Sequence, residues 1–239
     1  MRRLLIQTKW EFRLNARNFE QALLLVIIPV LILFILTNTT IIGGQNSPVS
    51  LGFATVLTVS TFAAGFTSLA IATAFERRSD TLVFLGTTSL TRVEVVLAKS
   101  AGSFLLALFA GIFTLVAALL LGWIPATSAV LIPISIALGV FSISGFAYLL
   151  AGTLRAEAVL AIANAVFLCV LLLGGVLFTF STELTHVLEF FPPLALKHVM
   201  EASIVTSGTA DASILTAVLV LLGWGVIGHV LASRFFKWR

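Results

Sequence analysis

Two histidine–glutamate pairs, His186 with Glu189 and His198 with Glu201, each stand three residues apart in the segment 181–208. On a helix each pair would share a face, and together they offer imidazole and carboxylate groups to a divalent metal. No closed ligand set accompanies them, so ordinary polar faces of interfacial helices are the simpler account. Gly223-Trp224-Gly225-Val226-Ile227-Gly228 has the G-x-G-x-x-G spacing of a dinucleotide site. That chemistry needs a strand before the glycines, whereas this string lies inside an apolar run; close helix approach through small residues fits it better. No Gly-Lys pair occurs anywhere in the chain, so a phosphate-cradling P-loop is absent. Nor is there a nucleophile with a recognisable base beside it. The expectation is a protein that is not an enzyme and holds no cofactor of its own.

What remains is a polar island, 76–99, reading ERRSDTLVFLGTTSLTRVEVVLAK. It lies between two stretches, 21–75 and 100–154, that contain no Asp, Glu, Lys or Arg. The chain is 59% hydrophobic and 10% charged, with a mean hydropathy of +1.15. Ordinary soluble domains are roughly half apolar and a quarter charged. Apolar runs of about 20 residues cross the hydrocarbon core of a bilayer as helices, so the composition specifies an integral membrane protein. A net charge of +4 records membrane orientation rather than a nucleic-acid partner. The single cysteine, Cys169, excludes an internal disulfide. No cleavable signal peptide is expected, because the first apolar run follows a charged segment.

The elements that must hold the island follow in order. Residues 1–20 carry Arg2, Arg3, Lys9, Arg13 and Arg17, with Leu5, Phe12 and Phe19 on one helical face and Trp10 away from it. That pattern suits a helix lying in the membrane interface. Six spans are expected at about 21–37 (with Pro29 inside), 51–75, 100–121, 128–150, 158–178 and 212–233, the last capped by Asp211. A breaker-rich turn, 38–50, follows the first span. Residues 181–208 are too polar for a span, and Pro192-Pro193 breaks them into two short helices on or in the outer leaflet. Placing both termini, the island and the turn at Arg155 in the cytoplasm leaves Lys197 as the one basic residue outside. The inner side then carries +7 and the outer side −3, the bias that orients membrane proteins. The fold class read from the chain is an all-α membrane protein of one domain, 1–239.

No acidic or basic residue falls within a span, which argues against a gradient-driven carrier, since such carriers keep ionisable groups there. His229 suits packing near the inner end of the last span. Small and hydroxyl residues Thr55, Thr58, Thr61, Gly65 and Ser68 make one face of span two, and span five adds Asn164, with Gly175 and Thr179 beyond it. Such stripes serve helix packing, a substrate path or a dimer seam.

The island resembles the first cytoplasmic loop of the type-2 ABC exporter permeases, the drug-resistance and polysaccharide export family. Glu76, Arg77, Thr81, Leu82, Leu85, Thr88, Arg92, Glu94, Leu97 and Lys99 match the pattern E-R-E-x-G-T-L-x-x-L-x-x-T-P-x-S-R-x-E-x-x-L-G-K without a gap. Its departures include Asp80 for Gly, Ser89 for Pro and Ala98 for Gly. The resemblance extends to the layout: a basic elbow helix (1–20), six spans, and an outer re-entrant hairpin (181–208) before the last. It implies a dimer with a second permease copy or paralogue, joined to cytosolic ABC ATPase subunits that hold ATP and Mg. It implies a bacterial inner-membrane location with both termini cytoplasmic. The island would be the coupling element, through Glu76, Arg77, Asp80, Thr81, Leu82, Leu85, Arg92 and Glu94, with Arg155 and Glu157 a smaller second contact. The cargo expected is a lipophilic or amphipathic drug or lipid-like molecule. A non-transporting scaffold or assembly factor is the alternative.

Overall fold

The computed structural model describes residues 2–17, 23–38, 48–88, 90–173, 176–177, 181–205 and 212–236. Among them the protein is helical throughout, with no strand. The expected features at Phe19, Ser89, Gly175, Thr179, Asp211, most of the 38–50 turn and the end of the 181–208 segment lie outside the described residues.

The helices are α1 (Arg2–Ala16), α2 (Ile28–Asn38), α3 (Pro48–Phe62), α4 (Leu69–Arg78), α5 (Thr81–Thr87) and α6 (Arg92–Leu120). They continue as α7 (Ile132–Thr153), α8 (Ala156–Leu173), α9 (Thr182–Leu188), α10 (Pro192–Ile204) and α11 (Ala212–Phe235). A π turn, Leu23–Ile27, leads into α2, and a second, Ala63–Ser68, joins α3 to α4. Pro29 sits just after the first of these, where its missing amide would otherwise meet the Leu25 carbonyl.

Four helical stretches among the described residues are long and apolar enough to cross a membrane: Pro48–Arg78, Val93–Leu120, Thr127–Thr153 and Ile214–Phe235. The other two expected spans appear as shorter apolar helices, Leu25–Asn38 and Ala156–Leu172. Pro48–Arg78 is the centre of the bundle: 78% of its most apolar stretch is buried, against 22% for Ile214–Phe235. Leu33, Ile136 and Leu221 from the surrounding helices meet its Phe53 and Leu57 in one core.

Glycine sets the tightest seam. A Cβ at Gly145 would lie 2.4 Å from the Gly228 backbone, so α7 and α11 touch main chain to main chain. Gly225 and Gly228 of the G-x-G-x-x-G string are packing residues against Phe141 and Phe146, while Gly223 faces open space. His229 belongs to the same seam. Its Nδ1 donates to the Gly225 carbonyl at 2.8 Å, and its ring stacks on Phe141.

Two boundaries become sharper. The island's first residues finish α4 and 92–99 begin α6, leaving only 79–91 between two long helices. And α10 packs into the bundle. Leu194, Ala195, Leu196, Met200 and Ile204 are buried in the main core, and Ser203 Oγ lies 2.9 Å from Ser135 Oγ on α7. Its two prolines occupy the first helical turn, where a missing amide costs nothing.

Candidate functional site

The island is fastened to the bundle from below by a buried ion cluster. Lys99, in α6, has a side chain only 3% exposed, and its Nζ lies 3.0 Å from Glu11 Oε2 on α1. The same ammonium pairs with Glu76 at the end of α4. Gln7 Nε2 donates to the second Glu11 oxygen at 2.8 Å. An unpaired ammonium or carboxylate buried here would cost several kcal/mol, so the two carboxylates depend on Lys99. Beside them the Tyr148 hydroxyl donates to the Val96 carbonyl at 3.0 Å and lies 2.9 Å from Ser100 Oγ, tying α7 to the start of α6.

This geometry fixes which side of α1 faces the bundle. Its protein-facing side is Thr8 and Glu11, with Phe12 packed edge-on against Phe109, while Leu5, Ile6 and Trp10 point outward. The helix can lie so close because position 102 is glycine: a Cβ there would come within 2.8 Å of the Glu11 Cβ. An amphipathicity argument assigns Glu11 to water. Lys99 supplies what water would have.

The second turn meets the island directly. Arg77 donates to the Leu154 carbonyl, and Arg78 forms an exposed ion pair with Glu157. Glu76, Arg77 and Glu157 therefore belong to one surface region at this end of the bundle, with Arg155 exposed beside them.

Within the island, Asp80 adopts a left-handed backbone with φ of 57°, which turns the chain from α4 into α5. Glycine is the residue with no penalty for this conformation. Ser79 and Thr81 hydroxyls lie 2.8 Å apart across the turn. Leu82 is 2% exposed and anchors α5 inward, whereas Phe84 is 71% exposed. Leu85 is half-buried. Glu94 forms a capping box with Thr91, accepting from the Thr91 amide at 2.8 Å while Thr91 Oγ1 accepts from the Glu94 amide at 3.2 Å. Its first duty is to start α6. The side chain of Arg92 lies outside the described residues.

Sequence reasoning missed Glu11, Lys99 as a partner of Glu76, and Phe84. Lys99 did leave a signal, as the last charge before a long charge-free stretch. Glu11 left none.

The hydroxyl stripe is covered by the chain's own helices. Thr55, Thr58 and Thr61 are buried, and Thr58 Oγ1 donates to the Ala54 carbonyl at 2.8 Å. Thr61 and Leu196 both press on Gly139, and Gly65 lies against Ile143 and the Val140 backbone. Ser68 is half-buried, and Asn164 is exposed on α8, so it does not share their buried setting. The histidine pairs stay apart: His186 Nδ1 is 3.6 Å from Glu189, but Glu201 pairs with Lys197 at 3.8 Å. Among the described residues no three His, Cys, Asp or Glu side chains gather as a metal site would require.

Fold and site define a helical protein with apolar helices fit for a membrane and a polar platform clamped to one end of the bundle. No family model matches the chain, and no curated protein matches it either.

Proposed function

We propose that this chain is the membrane-spanning permease subunit of an ATP-driven exporter of the type-2 ABC kind. In this reading six helices span a bacterial inner membrane, the two shorter ones included, with both termini and the island in the cytoplasm. The α9–α10 hairpin re-enters from the outer side. Trp224, near the middle of α11, donates its indole N–H to the Phe190 carbonyl at 2.8 Å, which supports a hairpin tip at mid-membrane depth. A second permease copy or paralogue and two cytosolic ATPase subunits complete the machine. ATP and Mg belong to those subunits. The cargo is lipophilic or amphipathic.

The observation that carries the reading is the clamped platform. Glu76 and Lys99 close α4 and open α6, so a push on α5 is delivered to both long helices through an ion cluster that also holds α1. A merely connecting loop has no need of three buried charges. On the outer side of this platform, Phe84 is a large bare apolar side chain at a position made for a protein partner. An exposed Asn164 on an otherwise apolar helix fits a seam with a second copy, where an amide finds a partner that lipid cannot provide.

The test is purification of the tagged chain from its native membrane, followed by ATP hydrolysis measurements on the reconstituted complex. An ATPase subunit should accompany it, and hydrolysis should rise with a transported lipophile. Co-purification with hydrolysis that no lipophile stimulates would identify a scaffold instead. Absence of any ATPase would sink the proposal.

A further inference from the structure

Between α7, α8 and the π turn of the central helix runs an apolar groove of about 610 Å³. Phe62, Phe66, Phe146 and Val166 form its walls, and Phe191, Pro192 and Trp224 close one end at the hairpin tip. The other end reaches Leu150 and Thr153, where α7 finishes before the turn at Arg155. Along α7 the lining runs from Ile143 to Thr153, ten residues, or about 15 Å of helix. That is half of a hydrocarbon core of about 30 Å. The groove is therefore blind near the middle of the bundle and one leaflet deep. It is open along its side, because α8 leans on α4 rather than on α7, leaving Ile162 and Cys169 exposed.

The wall offers a ligand almost no hydrogen bond. Trp224 has given its N–H to Phe190, and Thr153 Oγ1 donates to the Leu149 carbonyl at 2.7 Å. A molecule with polar atoms along its length would leave them unpaired. A plain hydrocarbon chain loses nothing. Beyond that end Arg155, two residues past Thr153, is exposed and makes no ion pair among the described residues. Its neighbours are already engaged, Arg78 by Glu157 and Arg77 by the Leu154 carbonyl.

We propose that the groove binds one acyl chain of an anionic amphiphile from the cytoplasmic leaflet, methyl end at Trp224 and acidic headgroup at Arg155. A depth of one leaflet, a dry wall and, two residues past its Thr153 end, a cation with no ion pair among the described residues together select this class. The proposal rests on the orientation given above but not on transport, and its test needs no ATPase.

The full chain is placed in phosphatidylcholine nanodiscs and titrated with laurate brominated either near its methyl end or next to its carboxyl group. Methyl-end bromine should quench the part of the tryptophan fluorescence that Trp224→Phe removes, saturably, and carboxyl-end bromine should not. Arg155→Gln should weaken laurate binding about fivefold, the effect of one surface cation on an anionic lipid. It should leave binding of the uncharged lauryl alcohol unchanged. Ile162→Phe, at the open edge, should reduce both. If Trp224→Phe fails to fold, alkylation of Cys169, the chain's one cysteine, gives the same readout, with laurate slowing it saturably. Discs of phosphatidylglycerol that abolish laurate binding would make the membrane's own lipid the occupant and uphold the site. Equal quenching by both bromine positions, or equal laurate binding by the wild type and Arg155→Gln, would overturn it.

Discussion

Lys99 is the charged residue whose loss should hurt most. Lys99→Met keeps the chain length and apolar bulk of the lysine stem but removes the ammonium shared by Glu11 and Glu76. Two carboxylates then face each other with no cation. Removing one partner of a buried ion pair costs about 3–5 kcal/mol. Glu76 keeps 20% exposure and can turn part of its charge to water, whereas the Glu11 side chain is 5% exposed and cannot. The expected loss is therefore near the lower end, about 3 kcal/mol, and lies chiefly on Glu11. Glu11→Gln leaves a one-to-one Lys99–Glu76 pair and an amide that still accepts a hydrogen bond, so it should cost only about 1 kcal/mol. The double change Glu11→Gln with Lys99→Met should be more stable than Lys99→Met alone. Unfolding in mixed micelles by rising SDS fraction, followed by far-ultraviolet circular dichroism, measures all three. A double variant no better than Lys99→Met would refute the reasoning, because the penalty would then come from packing and not from an orphaned charge.

Further outcomes follow from the same geometry. Gly145→Leu should prevent α7 and α11 from seating, since even a Cβ would meet the Gly228 backbone at 2.4 Å; the protein should fail to yield a monodisperse species in detergent chromatography. Asp80→Gly removes the cost of a left-handed backbone at φ 57° and should raise stability by up to about 1 kcal/mol in the SDS assay. Phe84→Ala should leave that unfolding curve unchanged, because the side chain is 71% exposed, yet reduce recovery of the ATPase subunit in the pull-down. Unchanged recovery would remove Phe84 from the docking surface.

Much of the architecture was legible in the residues. Apolar runs, the Pro192-Pro193 break and the short turn at Arg155 all act locally, so helices form close to where they were expected. The limits moved mainly where polar residues continue a helix. Residues 92–99 look like loop by hydropathy but are helical because Thr91 and Glu94 cap them. The candidate site was legible only in outline. Glu76, Arg77 and Glu157 lie in one region, but Leu82 turns inward, Glu94 is occupied as a cap, and Phe84 takes the exposed position. Helical periodicity alone could not say which face of so short a helix meets the bundle.

By itself the sequence determined the solvent and the helical class, since the transfer free energy of each side chain belongs to that residue wherever it sits. Tertiary structure alone decided which charges are buried and which are free. Glu11 and Lys99 are 88 positions apart, and the Glu11 carboxylate could not be buried without the ammonium. Their pairing depends on a third residue, Gly102, leaving room for α1 to approach. Burial of charge is a property of the pair and its enclosure, and no local reading of either residue contains it.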